Sequence, residues 1–365
     1  MFLIVTRNFP PDIGGIQMLM GGLSESLLDH GPVKVFAYDF PNSSIYDSKS
    51  LMNIERVKGI KLFRKYRKAI LVNNCIEKET NIRAIFSDHW KSLELIKKEN
   101  LIKSKTFCLL HSKEINHQIG SSLNKRVIES TEKANFIIAN SNFTKKLAIK
   151  IGINSSKIHV IFPGIVIPKN IDGNNMDEAK SIFKNSFPKI ITVARLEKRK
   201  NHDKIIMTIK NLKAKFPNIK YVSIGFGKEE TNLKSLVKKL SLEKEVVFLK
   251  NVSSNLKTAL VASSNLFLMP SIVDGKSVEG FGISYVEAAS HGVGSIGGKD
   301  GGASDAITDN LTGLICDGND LNSIYENVVK FFENNKYLQF GKEAKNFSEK
   351  FYWKKVVKDY LKLIN

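Results

Sequence analysis

Four cations fall within six positions of the run Arg195-Leu196-Glu197-Lys198-Arg199-Lys200, directly after the apolar segment 189–194. Such a cluster at a strand end suits an anionic ligand, because arginine grips phosphate oxygens bidentately and lysine neutralises them as a point charge. Arg195 and Lys200 flank the run and are the candidates for that contact, while Lys198 and Arg199 read as a solvated charge run. A second cluster is Glu279-Gly280-Phe281-Gly282, followed by Ile283-Ser284-Tyr285-Val286-Glu287. Gly280 and Gly282 stand at a helix start, where free backbone amides receive phosphate. Glu279 precedes the helix and can reach hydroxyls beyond the phosphate. Glu287 lies among small apolar residues and needs a hydrogen-bonding partner, which a ribose diol would supply. The alternative is a capping Glu279 and an exposed Glu287. The third cluster is Gly14-Gly15, which opens a helix after the first strand. It is either a phosphate-binding turn or a tight turn without a ligand.

These groups need a scaffold that puts strand ends beside helix starts. Short apolar runs alternate with longer amphipathic ones along the chain, the signature of βα units and a parallel sheet. Strands are predicted over 2–6, 33–36, 84–87, 106–110, 135–139 and 158–162, with helices such as 16–28 and 142–149 between them. A polar, Asn-rich stretch at 168–180 interrupts the rhythm, which resumes with strands at 189–194, 221–224, 246–249, 266–269 and 294–296. The predicted fold is α/β, with two doubly wound domains facing a cleft. The first covers 1–170, a linker 171–187, the second 188–345, and a C-terminal helix within 346–365 packs back toward the first domain. In such sheets ligands bind at the carboxyl ends of the strands, where all three clusters fall.

The chain has 365 residues, enough for two cores, and 56 Lys and Arg against 36 Asp and Glu, a formal charge of +20. An apolar fraction of 42% excludes a disordered or fibrous chain. The charge leaves nucleic acid, an anionic membrane surface and phosphorylated small molecules as partners. Cys75, Cys108 and Cys316 are widely spaced, without a CxxC or a metal-ligand pattern. They argue for reduced thiols and neither a disulfide framework nor a zinc site. The first apolar run is too short for a signal peptide, and no run is long enough to span a membrane, so a cytoplasmic location is expected.

Taken together, GGI after the first strand, RLEKRKNHD, PS followed by EGFGISYVEA, and GGASDAITDNLTGL resemble the retaining glycosyltransferases of family four, which have the GT-B fold. The likeness is dense over 190–317 and thinner in the first half. Glu279 and Glu287 match that family's Glu-x7-Glu motif. The resemblance implies a nucleoside-diphosphate sugar donor, GDP- or UDP-linked, and no cofactor or metal. It implies that Arg195 and Lys200 hold the donor diphosphate, that Glu279 contacts the sugar and that Glu287 contacts the ribose. The backbone at Gly280, Phe281 and Gly282 and the Gly14-Gly15 turn would line the phosphates. His111, at the end of the strand 106–110, matches a histidine near the reacting sugar, or is a satisfied histidine at a strand end. The segment 271–279 is similar to the loop of bacterial mannosyltransferases acting on lipid acceptors. The implied reaction is hexosyl transfer, mannose or glucose type, with retention, by front-face attack of a glycan or lipid-linked hydroxyl in cell-surface polysaccharide or glycolipid synthesis. Asn201 stands where the family usually has Gly, Val166 replaces the Asp of a GVD segment, and Ser304-Asp305 replaces the more frequent Pro-Glu.

Two other classes compete. A GxGxxG at Gly292, Gly294 and Gly297 suggests a nicotinamide enzyme, but it follows a helix and runs into a strand, the reverse of the order that motif needs. The segment 56–68 carries Arg56, Lys58, Lys61, Arg64, Lys65, Arg67 and Lys68 around Phe63 and Tyr66. No nucleic-acid-binding motif accompanies it, so nucleic acid is not expected as a partner. A basic segment with aromatics suits a peripheral contact with an anionic membrane on its cytoplasmic face, or a solvated surface.

Overall fold

The computed structural model describes every residue except 169, and those residues divide into two compact units. The first comprises Met1–Val166 with Phe351–Asn365, and the second Ile167–Lys350. The first unit holds β1 (Phe2–Val5), β2 (Val33–Tyr38), β3 (Asn53–Val57), β4 (Ala84–Ser87), β5 (Lys105–Leu110), β6 (Phe136–Ala139) and β7 (Ile158–Val160). They form one parallel sheet in the order β3-β2-β1-β4-β5-β6-β7. Successive side chains point to opposite faces, so Leu3 and Val5 enter one apolar core while Phe2 and Ile4 enter the other. Cores on both faces explain why the strands are continuous apolar runs.

The helix Trp353–Ile364 belongs to this first unit, although 184 residues of the second unit separate it from Val166. Trp353 packs so closely on Gly22 and Gly164 that a Cβ on either would fall 2.0 and 2.3 Å from the indole. Tyr360 lies edge-on to Phe86 at 5.8 Å between ring centroids. Ile165 N–H donates to the Phe351 carbonyl (2.7 Å), and Trp353 N–H donates to the Ile165 carbonyl (3.1 Å).

The second unit holds β8 (Lys189–Val193), β9 (Lys220–Ile224), β10 (Val246–Leu249), β11 (Leu266–Met269), β12 (Ser295–Gly298) and β13 (Gly313–Cys316), in the parallel order β10-β9-β8-β11-β12-β13. Both sheets are doubly wound. Strand order reverses between β1 and β4 in the first and between β8 and β11 in the second, and the crevice at such a switch point is where ligands bind.

The structure differs from the sequence reading at four places. β3 and β13 are edge strands that the sequence reading lacks: β3 (NIERV) is half-polar, and β13 (GLIC) is an apolar run of only four residues that opens on a glycine. The segment 171–187, read as a linker, contains the helix Gly173–Phe183, capped by the Asp172 carboxylate and anchored by buried Ala179 and Phe183. Residue 169, within the first predicted domain, lies outside the described residues. Residues 346–350 close the second unit, so the C-terminal segment of the first begins at Phe351 rather than at 346.

Candidate active site

At the β8–β11 switch point the chain leaves β8 and makes one turn of 3-10 helix, Lys198–Lys200. That turn directs Arg199 and Lys200 inward: their side chains are 9% and 10% exposed, and Glu279 beside them is 12% exposed. Arg199 Nη1 lies 2.6 Å from Glu279 Oε2. Lys200 Nζ shares the same oxygen and lies 3.3 Å from Met269 Sδ. Arg199 is therefore not part of a solvated run but a buried ion-pair partner. Burial alone would raise the Glu279 pKa, but Lys200 and Arg199 outweigh it and bring the carboxyl down to about 2. Lys200 is lowered, because burial penalises its charge more than Glu279 restores it.

Arg195 differs. Its side chain is 63% exposed, and its guanidinium lies 2.9 Å from Glu197 Oε1. The backbone around it is braced from three directions. Leu196 N–H donates to the Phe226 carbonyl (3.0 Å), and Glu229 N–H donates to the Leu196 carbonyl (3.1 Å). His202 Nε2 donates to the Arg195 carbonyl (3.3 Å), while its Nδ1 lies 3.0 Å from the Tyr221 hydroxyl. Burial lowers the His202 pKa to about 4, so this brace is a neutral imidazole near pH 7. Asn201 explains the departure from glycine. It has φ 63°, a left-handed conformation that asparagine tolerates. Its side chain also donates to the carbonyls of Pro270 (2.9 Å) and Gly318 (2.7 Å), which a glycine could not do.

The loop after β11 supplies the facing wall. Gly282 has φ 88° and precedes the helix Ile283–Ser290, so the residue type is set by backbone geometry. Phe281 is buried, and its ring belongs to the interior; only its main chain can reach a ligand. Gly302 N–H donates to the Glu279 carbonyl (2.9 Å), and a Cβ on Gly302 would fall 2.0 Å from the Gly280 carbonyl oxygen. The Gly301-Gly302 pair thus fixes the position of Glu279-Gly280. Glu287, on the following helix, is half-buried, with Lys257 Nζ 4.0 Å from its Oε2.

Lys200, Glu279 and the Gly280–Gly282 backbone are therefore brought together, with Arg195 on the rim of the same strand end. Sequence reasoning missed Arg199 and the Gly225-Phe226-Gly227 turn, whose signal is a GxG following a strand.

The first unit carries the remaining candidates. Gly15 begins the helix Gly15–Leu28, and Gly14 before it is extended. The Asp12 carboxylate accepts from Ile13 N–H (2.9 Å) and from Gln17 Nε2 (2.5 Å) and fixes the turn. His111 follows β5; its Nε2 donates to the Asp88 carbonyl (2.8 Å), and its N–H donates to Glu114 Oε1 (2.5 Å). The basic segment 56–68 is less uniform than its sequence. Arg56 is buried against Asp47 (2.7 Å), and Lys68 is 2% exposed, so neither can face a membrane. Lys58 and Lys61 are exposed, together with Ile60, Leu62, Phe63, Tyr66 and Ile70.

Paired parallel α/β units with a built site at a switch point are the architecture of GT-B glycosyltransferases, and solved structures bear this out. The chain is similar to Anabaena HepE, solved in complex with UDP, with a TM-score of 0.82 at 17% identity over 99% of this chain and 98% of that one. It is also similar to sucrose-phosphate synthase from Thermosynechococcus elongatus, with a TM-score of 0.79 at 17% identity over 99% and 97%. At these identities the likeness concerns the fold. In sequence, an uncharacterised glycosyltransferase of Methanocaldococcus jannaschii is 26% identical over 348 residues, 92% of this chain and 84% of that protein. A GDP-mannose-dependent α-(1-6)-phosphatidylinositol monomannoside mannosyltransferase of Mycolicibacterium smegmatis is 23% identical over 347 residues, 88% and 86%. Residues 174–349 match the family described as glycosyl transferases group 1. The protein is a glycosyltransferase, with a group 1 domain in its second unit.

Proposed function

We propose that the chain transfers a hexosyl group, mannose or glucose type, from a nucleoside-diphosphate sugar to a hydroxyl of a glycan or lipid-linked acceptor, with retention at the anomeric carbon. The observation that carries this reading is Lys200, a buried ammonium held by Glu279 at the β8–β11 switch point. In the reaction the bond from the anomeric carbon to the diphosphate breaks and negative charge develops on the leaving group. Lys200 and Arg195, with amides of Gly280–Gly282, meet that charge in a site already oriented for it. Glu279 opposes the loss of charge that burial imposes on Lys200 and contacts the sugar, while Glu287 contacts the ribose. In this reading the Gly14-Gly15 turn lines the phosphates and His111 lies near the reacting sugar, as the family resemblance implies. The acceptor hydroxyl attacks from the face the diphosphate leaves, and its proton passes to the departing oxygen. The cations supply the charge neutralisation, so the proposed reaction uses no metal and no cofactor.

The names of the similar proteins support a nucleotide sugar as donor and a glycolipid as acceptor: the mannosyltransferase is GDP-mannose-dependent and acts on a phosphatidylinositol monomannoside, and HepE is also solved with UDP-glucose. Thermal denaturation with GDP, UDP and ADP tests the donor. One nucleoside diphosphate at a hundredfold excess over its dissociation constant adds about 2.7 kcal/mol of stability. No shift with any of the three would contradict the donor reading.

No helix of the described residues is long and apolar enough to cross a membrane. Ile60, Leu62, Phe63, Tyr66 and Ile70 nonetheless stand exposed beside Lys58 and Lys61, an apolar and basic face suited to the cytoplasmic surface of an anionic bilayer. Flotation with anionic vesicles at low salt recovers the wild type with the lipid, and Leu62→Asp with Phe63→Ser abolishes recovery. Equal flotation of the variant removes this part of the reading.

A further inference from the structure

The switch point of the first unit lies between β1 and β4, and the chain leaves these neighbouring strands through Thr6-Arg7 and Asp88-His89-Trp90-Lys91. The ionic groups there are unevenly satisfied. Asp88 is fully buried; it accepts from Arg7 N–H (3.0 Å) and from the Ser92 hydroxyl (2.7 Å). Lys68, also buried, donates to the Thr6 carbonyl and to Ser92 Oγ, both at 3.0 Å, and lies 4.9 Å from the Tyr38 ring centroid. Lys65 and Arg126 share Glu94, so that carboxylate is already engaged. Two cations are left over. Among the described residues neither the Arg7 guanidinium nor the Lys91 ammonium has an ion-pair partner, and Arg7 Nε is buried without a hydrogen bond. Lys91 lies over the face of the buried Trp90, 5.1 Å from its ring centroid, and Arg126 lies 5.5 Å from the same ring. The Lys91 pKa is lowered, first by burial and then by the charges of Arg7 and Arg126, which the Glu94 carboxylate only partly offsets. His111, bonded to the Asp88 carbonyl, borders the same strand ends.

Half-buried cations that outnumber the carboxylates beside them, here Asp88 and Glu94, are costly unless a ligand brings a further negative charge. We infer that Arg7 and Lys91 bind a phosphate group of the acceptor substrate. This inference rests on the proposed glycosyl transfer and adds the charge of the acceptor to it. Arg7 supplies a planar fork for two phosphate oxygens, and Lys91 supplies a point charge stiffened by the indole beneath it. Lys68 and Asp88 position the Arg7 backbone and touch no substrate.

The test is isothermal titration of the full chain, saturated with whichever nucleoside diphosphate stabilises it, so that the donor site is occupied. Inorganic phosphate, glycerol 3-phosphate and glycerophosphoinositol are the probes. One of them binds with unit stoichiometry, and Arg7→Gln and Lys91→Gln each weaken it about tenfold, the scale of one charge-assisted contact. Arg7→Lys recovers part of the loss, while Lys58→Gln, on the exposed face, changes nothing. A preference for glycerol 3-phosphate marks a phosphomonoester acceptor, and a preference for glycerophosphoinositol marks a phospholipid headgroup. Nucleotide affinity and the far-ultraviolet spectrum stay as in the wild type for every variant. A chain that binds nucleotide but none of the three phosphates overturns the inference, as does equal weakening by Lys58→Gln. A chain that binds no nucleotide overturns the donor reading instead.

Discussion

Alanine at position 200 lowers the turnover number for glycosyl transfer by about 10²–10³, the usual effect of removing one preorganised group that meets developing charge. The effect falls on the chemical step, because Lys200 is held by Glu279 before any ligand arrives and needs no reorganisation to receive the diphosphate. Arg195, 63% exposed on the rim, contributes to binding more than to the step itself. Arg195→Ala therefore raises the donor KM more than it lowers kcat, whereas Lys200→Ala does the reverse. Initial rates measured over a range of donor concentrations separate the two. Unchanged turnover in Lys200→Ala would remove this lysine from the mechanism.

Glu279→Gln costs the protein roughly 3 kcal/mol of stability, the lower end of what is lost when one member of a buried ion pair is deleted. Arg199 and Lys200 remain buried in that variant, and a neutral amide cannot balance them. The same carboxylate gives the second unit an acid-sensitive component. Its folded pKa, about 2, lies below the ordinary value of 4.5. The folded state thus binds fewer protons than the unfolded state between those values. The stabilisation is complete above about 4.5 and is lost as pH falls toward about 2. Urea midpoints measured from pH 6 to pH 3 fall more steeply for the wild type than for Glu279→Gln. Parallel curves would show that the ion pair does not stabilise the fold.

Much of the fold is legible because strands buried on both faces must be apolar throughout, as β1 and β5 are. Edge strands escape that requirement, and β3, with its exposed Asn53 and half-buried Glu55, looks like a loop. The helix Gly173–Phe183 was hidden by composition: its Asn and Asp residues suggest a break, but Asp172 is a cap that starts a helix. At the site, glycines and strand ends are visible locally, whereas partners are not. Nothing near Arg199 in sequence announces Glu279, which is 80 positions away. A charge run reads as solvated until a single tight turn directs two of its members inward. Arg56 and Lys68 illustrate the same blindness, since burial is decided by Asp47 and by the strand ends they meet.

The helix Trp353–Ile364 gives the order of synthesis a structural meaning. Translation delivers Met1–Val166, then the whole of the second unit, and only afterwards Phe351–Asn365. The second unit is contiguous and can close its core as it emerges, but the first must wait. Until Trp353 reaches Gly22 and Gly164, one apolar face of the first sheet, around Leu23, Phe86 and Ile161, lacks its cover. The nascent chain therefore passes through a long interval with a finished second unit and an unfinished first unit, which matures only once Phe351–Asn365 has emerged.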